Sequence, residues 1–258
     1  MTEKKTSLIY KIIRWFVWLF SPKFRLVGRE NLPDEPSVIV GNHSQMFGPI
    51  AAEIFFPGRK EIWCAGQMMN LKEVPAYAYE DFWSFKPKAV RWFYRLVSYL
   101  IPPLSVCVFN NAHTIPVYHD MRLRNTYRES MESLDAGEHL VIFPEQNKRF
   151  NHILYDFQDK FIDVARFYYR KTGKELNFVP FYIAPKLGTM HLGKPIRFDA
   201  SAPIEDERQR IKDYLMREIT AIAVSLPEHT VVPYRNVRKR DYPKNTDQEV
   251  SIDEEARC

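Results

Sequence analysis

The chain has 258 residues, of which 45% are hydrophobic, and its formal net charge is +5. This length and apolar content suit one sizeable domain with a buried core, and they argue against a disordered or low-complexity chain. Residues 1–30 contain seven basic and two acidic residues, so the whole net charge belongs to that end. We therefore expect an anionic surface to meet the N-terminus, rather than a nucleic-acid groove spread over the domain.

Cysteines and histidines show no arrangement typical of a metal site. Cys64, Cys107 and Cys258 are sparse and odd in number, which favours a reducing compartment. The seven histidines are dispersed along the chain. The sequence also lacks a Walker-type loop and a dinucleotide-binding glycine pattern. It therefore predicts neither a bound metal nor a nucleotide cofactor.

The first predicted element is an amphipathic helix over Leu8–Phe20. Its narrow polar stripe consists of residues at helical spacing, namely Lys4, Ser7, Lys11 and Arg14, and its remaining surface is apolar with several Trp and Phe residues. A helix of this length spans about 20 Å, which is short of the ~30 Å hydrocarbon core of a bilayer. The pattern indicates an interfacial helix lying on an anionic leaflet, with a signal peptide and a docked core helix as alternatives.

The next unit is a buried strand followed by a turn that carries a histidine. The apolar run 37–41 predicts the strand. Asn42 and His43 follow it, at the position where α/β proteins place much of their chemistry. The run 48–56 then predicts a helix, with Gly48 as its N-cap and a proline at its first position.

Short strands and helices alternate along the remaining chain. The predicted strands are 61–65, 114–118, 139–143, 178–183 and 190–198, and the predicted helices are 90–100, 122–134, 156–170 and 204–224. Alternation of this kind predicts an α/β fold, which we expect to be one domain with a central mixed β-sheet flanked by helices. We divide the chain into an interface helix (1–24), the α/β domain (25–233) and a polar tail (234–258) that we expect to be disordered.

Two aromatic-rich segments allow more than one interpretation. Residues 68–88 predict either a surface loop that folds its own aromatic side chains inward, or a lid that faces a membrane. The helix 90–100 is expected to end at two prolines. It is short and charged for a membrane span, so a second interfacial element is an equal alternative.

Four short motifs occur in order over residues 25–225. They are Asn42-His43, Ile115-Pro116-Val117, Phe143-Pro144-Glu145 and Asn177-Phe178-Val179-Pro180-Phe181. In type, order and spacing they resemble the four motifs of the glycerolipid acyltransferases, the family of the lysophosphatidate and glycerol-phosphate acyltransferases. The resemblance implies transfer of a fatty acyl group from acyl-CoA or an acyl carrier protein thioester to a hydroxyl of a membrane lipid. It implies no metal and no cofactor beyond that acyl donor.

The resemblance also implies roles for individual residues. His43 would be the general base, since an imidazole suits proton abstraction near neutral pH. Glu145 would position the acceptor, and Lys148 and Arg149 would contact its phosphate. Asn42 would shape the turn. The substrate-binding residues implied in addition are His119, Phe143 and Pro144.

The chain departs from the family pattern in its motifs. The Asp that the family places five residues after its His is Gly48 here, and the Arg expected after the second motif is His119. After Pro144-Glu145 the family's Gly-Thr-Arg is replaced by Gln146, Asn147 and Lys148. Gly48 cannot orient an imidazole, so the His–Asp dyad is degenerate. Because the second and third motifs are also changed, a lysophosphatidate acceptor does not follow from the resemblance.

Two hypotheses of different class remain. In the first, the protein is an active acyltransferase whose His43 is supported by another carboxylate, with Glu53, Asp120 and Glu145 as candidates. In the second, it is an inactive homologue that binds acyl chains or lipids without turnover. Both hypotheses predict a peripheral protein on the cytoplasmic face of a membrane. Its expected partners are an anionic membrane surface, a lipid acceptor and an acyl thioester donor, and no nucleic acid.

Overall fold

A computed structural model describes residues 6–84 and 86–247 as alternating strands and helices. Its strands are β1 (Arg25–Val27), β2 (Ser37–Gly41), β3 (Lys60–Ala65), β4 (Thr114–Val117), β5 (His139–Ile142), β6 (Glu145–Arg149), β7 (Tyr155–Phe157), β8 (Asn177–Ala184), β9 (Thr189–Leu192) and β10 (Ile196–Arg197). Its helices are α1 (Leu8–Phe20), α2 (Phe47–Phe55), α3 (Val74–Trp83), α4 (Arg91–Ser98), α5 (Pro102–Asn111), α6 (Leu123–Asp135), α7 (Asp163–Thr172) and α8 (Ile204–Ser225). The predicted α/β class is confirmed.

The main sheet is mixed, and β2 lies near its middle. The strand order is β1-β9-β8-β2-β5-β3-β4, with β10 paired to β8. β2 runs parallel to both β5 and β8, and β3 runs parallel to β5 and β4. β8 and β9 are antiparallel. The carboxyl ends of β2, β5 and β8 therefore meet at one edge, as the prediction of a central mixed sheet allowed.

Both faces of the central strand are covered, which explains why its apolar run is continuous. Successive side chains of a strand point to opposite faces. Ile39 packs with Ala51 of α2 on one face, whereas Val38 and Val40 belong to the core on the other face, which includes Leu215 of α8. Every residue of β2 is buried. This burial holds the following turn rigidly at the sheet edge.

Helix α1 has the bounds that the sequence predicted, but it attaches to the domain through few residues. Tyr10 is its one buried residue, and the Tyr10 hydroxyl donates to Glu53 Oε1 at 2.6 Å. The Ser7 backbone N–H donates to Asn111 Oδ1 of α5 at 2.7 Å. Its large apolar side chains are exposed, among them Leu8, Trp15, Trp18 and Phe20. Such a helix is docked by a few polar contacts and leaves its apolar side chains open to the surroundings.

The segment between β3 and β4 contains three helices where the sequence predicted a loop and a single helix. Residues 74–83 form α3, and α5 begins at Pro102, where the prolines were expected only to stop a helix. Proline is tolerated in a first helical turn, because its missing N–H would be unpaired there. No single helix of the described residues is long and apolar enough to cross a membrane. The pair Lys88–Ser98 and Pro102–Asn111, bent by 56°, meets that criterion only when taken together.

Other element boundaries also differ from the sequence predictions. The predicted helix 156–170 begins as β7, and α7 starts only at Asp163. The chain pairs there with β6, and this tertiary contact overrides the helical pattern. Residues 190–198 form β9 and β10 rather than one strand. Helix α2 begins at Phe47, so Gly48 lies inside its first turn instead of capping it.

The described part of the predicted tail, 234–247, is held to the domain by a few residues, whereas its polar composition predicted disorder. Asn245 is buried, and its amide donates to the Ala223 carbonyl at the end of α8 at 2.9 Å. The His229 N–H donates to Asn245 Oδ1 at 2.7 Å. These buried hydrogen bonds supply the stabilisation that apolar content does not. Residues 248–258 of the predicted tail lie outside the described residues.

Candidate active site

Parallel pairing of β2 and β5 brings the histidine turn and the Pro-Glu turn together. The His43 backbone N–H donates to Glu145 Oε2 at 2.6 Å, and the Tyr155 N–H donates to Glu145 Oε1 at 2.9 Å. The Glu145 side chain is 4% exposed. Each carboxylate oxygen thus accepts a backbone hydrogen bond. Glu145 fixes the backbone that carries His43, in addition to any contact that it could make with an acceptor.

Asn42 ties the end of β2 to β8. Its side-chain amide donates to Ser44 Oγ at 2.7 Å and to the Ile183 carbonyl at 3.1 Å, and its Oδ1 accepts from the Ile183 N–H at 2.7 Å. The residue is buried. Its polar atoms are engaged within the protein, which supports the role of shaping the turn.

The turn after His43 has an unusual backbone. Ser44 and Gln45 have φ angles of 45° and 53°, in the left-handed region that few residues other than glycine adopt. This conformation costs roughly 1–2 kcal/mol per residue. It places the Gln45 carbonyl oxygen 2.5 Å from His43 Nδ1. Because a carbonyl oxygen only accepts, Nδ1 carries the proton and Nε2 carries the lone pair.

The surroundings of His43 keep its imidazole neutral. Burial lowers the pKa of His43 below its ordinary value. The rings of Phe143 and Tyr234 pack edge-on against it, with centroids 5.6 and 5.7 Å away. Burial also raises the pKa of Glu145 to about 7, although its two backbone donors oppose that shift. The site therefore holds a neutral imidazole, with Nε2 as its unprotonated nitrogen.

Gly48 is required by the backbone that surrounds it. Its N–H donates to the His43 carbonyl oxygen at 3.0 Å. A Cβ at this position would lie 2.3 Å from that oxygen and 2.9 Å from its carbon. These contacts are with backbone and cannot be relieved by a rotamer change. With this turn, position 48 cannot hold an aspartate, and the Gln45 carbonyl occupies the place of the missing imidazole acceptor.

The three carboxylates considered as substitutes, all within the described residues, have other partners. Glu53 accepts from Tyr10, and its Oε1 lies 3.8 Å from Arg14. Asp120 is exposed and pairs with Arg122 at 2.7 Å. Glu145 binds backbone N–H groups. None of them hydrogen-bonds to the His43 ring, so the imidazole is oriented without a carboxylate.

The other predicted substrate-binding residues lie at different distances from this cluster. Phe143 contacts the His43 ring, and Pro144 is buried between Phe143 and Glu145. Lys148 is exposed on β6, in the irregular stretch between Glu145 and Arg149. His119 is exposed in the segment after β4, a strand that lies three positions from β2 in the sheet. Arg149 pairs with Tyr155 in the register of β6 and β7.

Two residues at the site were not expected from the sequence. Gln45 contributes a backbone atom, and no side-chain pattern indicates a left-handed turn there. Tyr234 was assigned to the polar tail, although the apolar run 231–234 could have indicated a packed segment. Within the described residues, no group of three or more metal-ligating side chains occurs that could hold a metal ion.

Comparison with known proteins gives a distant structural similarity. No protein-family model matches the chain, and no curated protein matches it. A solved structure, the 1-acyl-sn-glycerophosphate (LPA) acyltransferase PlsC from Thermotoga maritima, aligns with a TM-score of 0.46 and 16% sequence identity. The alignment covers 88% of this chain and 86% of that chain.

Proposed function

We propose that this protein transfers a fatty acyl group from a thioester, acyl-CoA or an acyl carrier protein, to a hydroxyl of a membrane lipid. The observation that carries the proposal is the short contact between His43 Nδ1 and the Gln45 carbonyl oxygen. It leaves Nε2 as the unprotonated nitrogen of a neutral imidazole. A neutral imidazole in this tautomer is what a general base needs.

The reaction requires one base and one proton path. The acceptor hydroxyl gives its proton to His43 Nε2 while its oxygen attacks the thioester carbonyl carbon. The carbon–sulfur bond then breaks, and the departing thiolate takes the proton back from the imidazolium. Throughout, Nδ1–H stays bonded to the Gln45 carbonyl, so the ring does not rotate. Glu145 and Asn42 keep the turn in place by their backbone contacts.

A carbonyl oxygen supports the base less strongly than a carboxylate does. It orients the ring, but it carries no full charge to stabilise the imidazolium. In the serine-protease triad, replacing the carboxylate by an amide lowers turnover by about 10⁴, because the imidazole takes the wrong tautomer. The Gln45 carbonyl can only accept, so the tautomer here is correct. We expect a slower reaction than with an aspartate, but a smaller loss than in that example.

We place the protein peripherally on the cytoplasmic face of an anionic membrane. The support is the surface of α1, where exposed Trp15, Trp18 and Phe20 occur on the same helix as exposed Lys11 and Arg14. Further exposed apolar side chains lie on α4, on α5 and between them, among them Trp92, Leu96, Leu100 and Leu104. Apolar faces of this kind on short helices suit an interface rather than a span.

A second candidate function has a specific observation in its favour. No carboxylate of the described residues hydrogen-bonds to the His43 ring, and Tyr234 packs against that ring. Both features fit a protein that binds an acyl thioester or a lipid without turnover.

The test is thiol release from palmitoyl-CoA in the presence of lyso-lipid acceptors. We expect His43→Ala to reduce release by about 10²–10⁴-fold, the usual contribution of a general base. His113→Ala is the matched control, because His113 is an exposed histidine at the other end of the sheet. Equal release from wild type and His43→Ala would refute the proposal. Saturable palmitoyl-CoA binding without release would favour the second candidate.

A further inference from the structure

Residues 235–241 form a basic loop. The chain segments on either side of the loop pair with each other. In this pairing the Val231 N–H donates to the Pro243 carbonyl at 2.8 Å, and Thr230 and Lys244 form an antiparallel β-bridge. Asn245 is buried just below and anchors the returning chain. Both sides of the loop are thus fixed to the domain, and its position relative to the site is defined.

The neighbours of the basic loop contact the turn that orients the base. Tyr234 packs edge-on against His43, and its ring centroid lies 5.7 Å from that of Tyr155. The Gln45 side-chain amide donates to the Tyr242 hydroxyl at 2.8 Å and to the Arg235 carbonyl at 3.4 Å. The same residue whose backbone carbonyl holds the imidazole therefore holds the basic loop by its side chain.

The basic loop carries a concentrated positive charge. Four of the six residues 235–240 are basic, and Asp241 is the acid within 235–241. Asp241 Oδ2 lies 3.6 Å from Arg238 and Oδ1 lies 3.5 Å from Arg240. All of these side chains are exposed. Exposed pairs of this kind are weak, so an anion of higher charge can replace Asp241 as their partner.

The basic loop begins and ends next to residues that contact the histidine turn. Tyr234 precedes it and packs against the His43 ring, and Tyr242 follows it and accepts a hydrogen bond from the Gln45 side chain. The Arg235 backbone carbonyl also accepts from the Gln45 side chain, at 3.4 Å. The exposed cations of the loop therefore lie on the segment that joins two contacts with this turn, whereas Lys148 and His119 are exposed on β6 and after β4.

We infer that the basic loop 235–241 binds a phosphate group of the substrate that reaches His43. The inference rests on the proposed function, because it assigns the ligand of that same site. Arginine guanidinium groups bind phosphate oxygens in a bidentate fork, and a lysine adds a point charge. Two sources carry this chemistry, namely the nucleotide phosphates of a coenzyme A thioester and the headgroup phosphate of a lysophospholipid.

The test removes the charge at the tip of the loop and keeps the residues that contact the turn. The variant is Arg238→Gln/Lys239→Gln/Arg240→Gln. The matched control is Arg124→Gln/Arg128→Gln/Lys174→Gln, which removes the same charge at exposed positions elsewhere. Equilibrium binding is measured in a His43→Ala background, so the result does not depend on turnover. The probes are palmitoyl-CoA against S-palmitoyl-pantetheine, and lysophosphatidate against monoacylglycerol in neutral micelles.

We expect the loop variant to bind the phosphate-bearing member of one pair about tenfold or more weakly, with its phosphate-free counterpart and the control variant unaffected. The pair that responds identifies the source of the phosphate. Equal binding by all variants, or equal weakening of both members of a pair, would overturn the inference. Weakening confined to phosphatidylglycerol vesicles would also overturn it, because the loop would then bind a surface.

The binding test separates this inference from the proposed function. Phosphate discrimination that depends on the loop, in a protein without thiol release, would support the loop site and remove the acyltransferase. If thiol release depends on His43 but the preference for phosphate-bearing probes does not depend on the loop, the proposed acyltransferase activity stands and the loop site is refuted.

Discussion

The two ends of the central sheet both bury ionisable side chains, but they satisfy them differently. At the carboxyl end, both oxygens of Glu145 accept backbone hydrogen bonds. At the amino end, Glu53 Oε2 and Glu61 Oε2 are buried without a hydrogen-bond partner among the described residues. At the same end, the Lys60 ammonium donates to the Phe56 carbonyl at 3.2 Å. Backbone donors therefore satisfy the buried carboxylate at the carboxyl end, whereas one oxygen of each buried carboxylate at the amino end lacks a donor among the described residues.

The difference follows from what surrounds each carboxylate. Glu61, Lys60 and Glu53 line an open polar cleft, together with Arg14 and His113. His113 Nδ1 lies 3.8 Å from Glu61 Oε1, and this nearby carboxylate raises the pKa of His113. A cleft of mixed charge tolerates a loosely partnered carboxylate. A carboxylate in a buried turn needs hydrogen-bond donors, and Glu145 takes them from the backbone. Glu145 is therefore the carboxylate that fixes the backbone position.

Glu145→Ala, at the carboxyl end of the sheet, should cause the largest loss of stability. The His43 and Tyr155 N–H groups would lose their acceptor in a buried turn, which costs roughly 1–3 kcal/mol for each. We expect the free energy of unfolding to fall by roughly 2–6 kcal/mol in urea titrations at low pH, where Glu145 is protonated. Glu61→Ala at the amino end is the matched control, with an expected change below about 1 kcal/mol. Similar losses for both variants would mean that the two ends are equivalent.

The loss of stability caused by Glu145→Ala should depend on pH. Burial raises the pKa of Glu145 to about 7 from an ordinary value of 4.5, so the folded state binds the proton more tightly than the unfolded state. Stability from this group is present below pH 4.5 and is lost as the pH rises through about 7. The destabilisation caused by Glu145→Ala should therefore shrink between pH 4.5 and 7. A difference that grows over this range would contradict the assigned pKa direction.

Gly48→Ala should have the next largest effect, because its Cβ would collide with the His43 carbonyl. Overpacking of this kind costs typically 1–3 kcal/mol, and it would also displace the histidine turn. Gly58→Ala is the control, since Gly58 has a φ of 80° but open space around its Cβ position. We expect only the backbone cost there, about 1 kcal/mol. Thiol release faster in Gly48→Asp than in wild type would show that the turn can open to accept a carboxylate.

Vesicle binding tests the amino end of the sheet, where Tyr10 and Arg14 of α1 contact Glu53, and leaves the stability of the domain unchanged. Lys11→Gln/Arg14→Gln should weaken binding to phosphatidylglycerol vesicles by about 2 kcal/mol, at about 1 kcal/mol per charge. Deletion of residues 1–22 should release the protein from these vesicles. Neutral vesicles are the control for charge. Undiminished binding by the deletion variant would mean that α1 is not the membrane contact.

Local patterns in the sequence determined the α/β class, the bounds of α1 and the strand–turn–helix unit that presents His43. Periodicity and buried apolar runs act over a few residues, so they can be detected without knowledge of the fold. The positions of His43 and Glu145 directly after two strands were determined in the same way. Their proximity then followed once β2 and β5 paired in parallel.

Only the tertiary structure decided how the base is oriented. The left-handed Ser44 and Gln45 depend on the hydrogen bonds of Asn42 to β8 and of His43 to Glu145, which are 141 and 102 residues away in the chain. The packing of Tyr234 on His43 depends on Asn245, and the pairing of β7 with β6 overrode a helical pattern. Such contacts join distant segments whose meeting depends on strand order. A linear pattern therefore showed that the family's aspartate was missing, but not that a backbone carbonyl had taken its place.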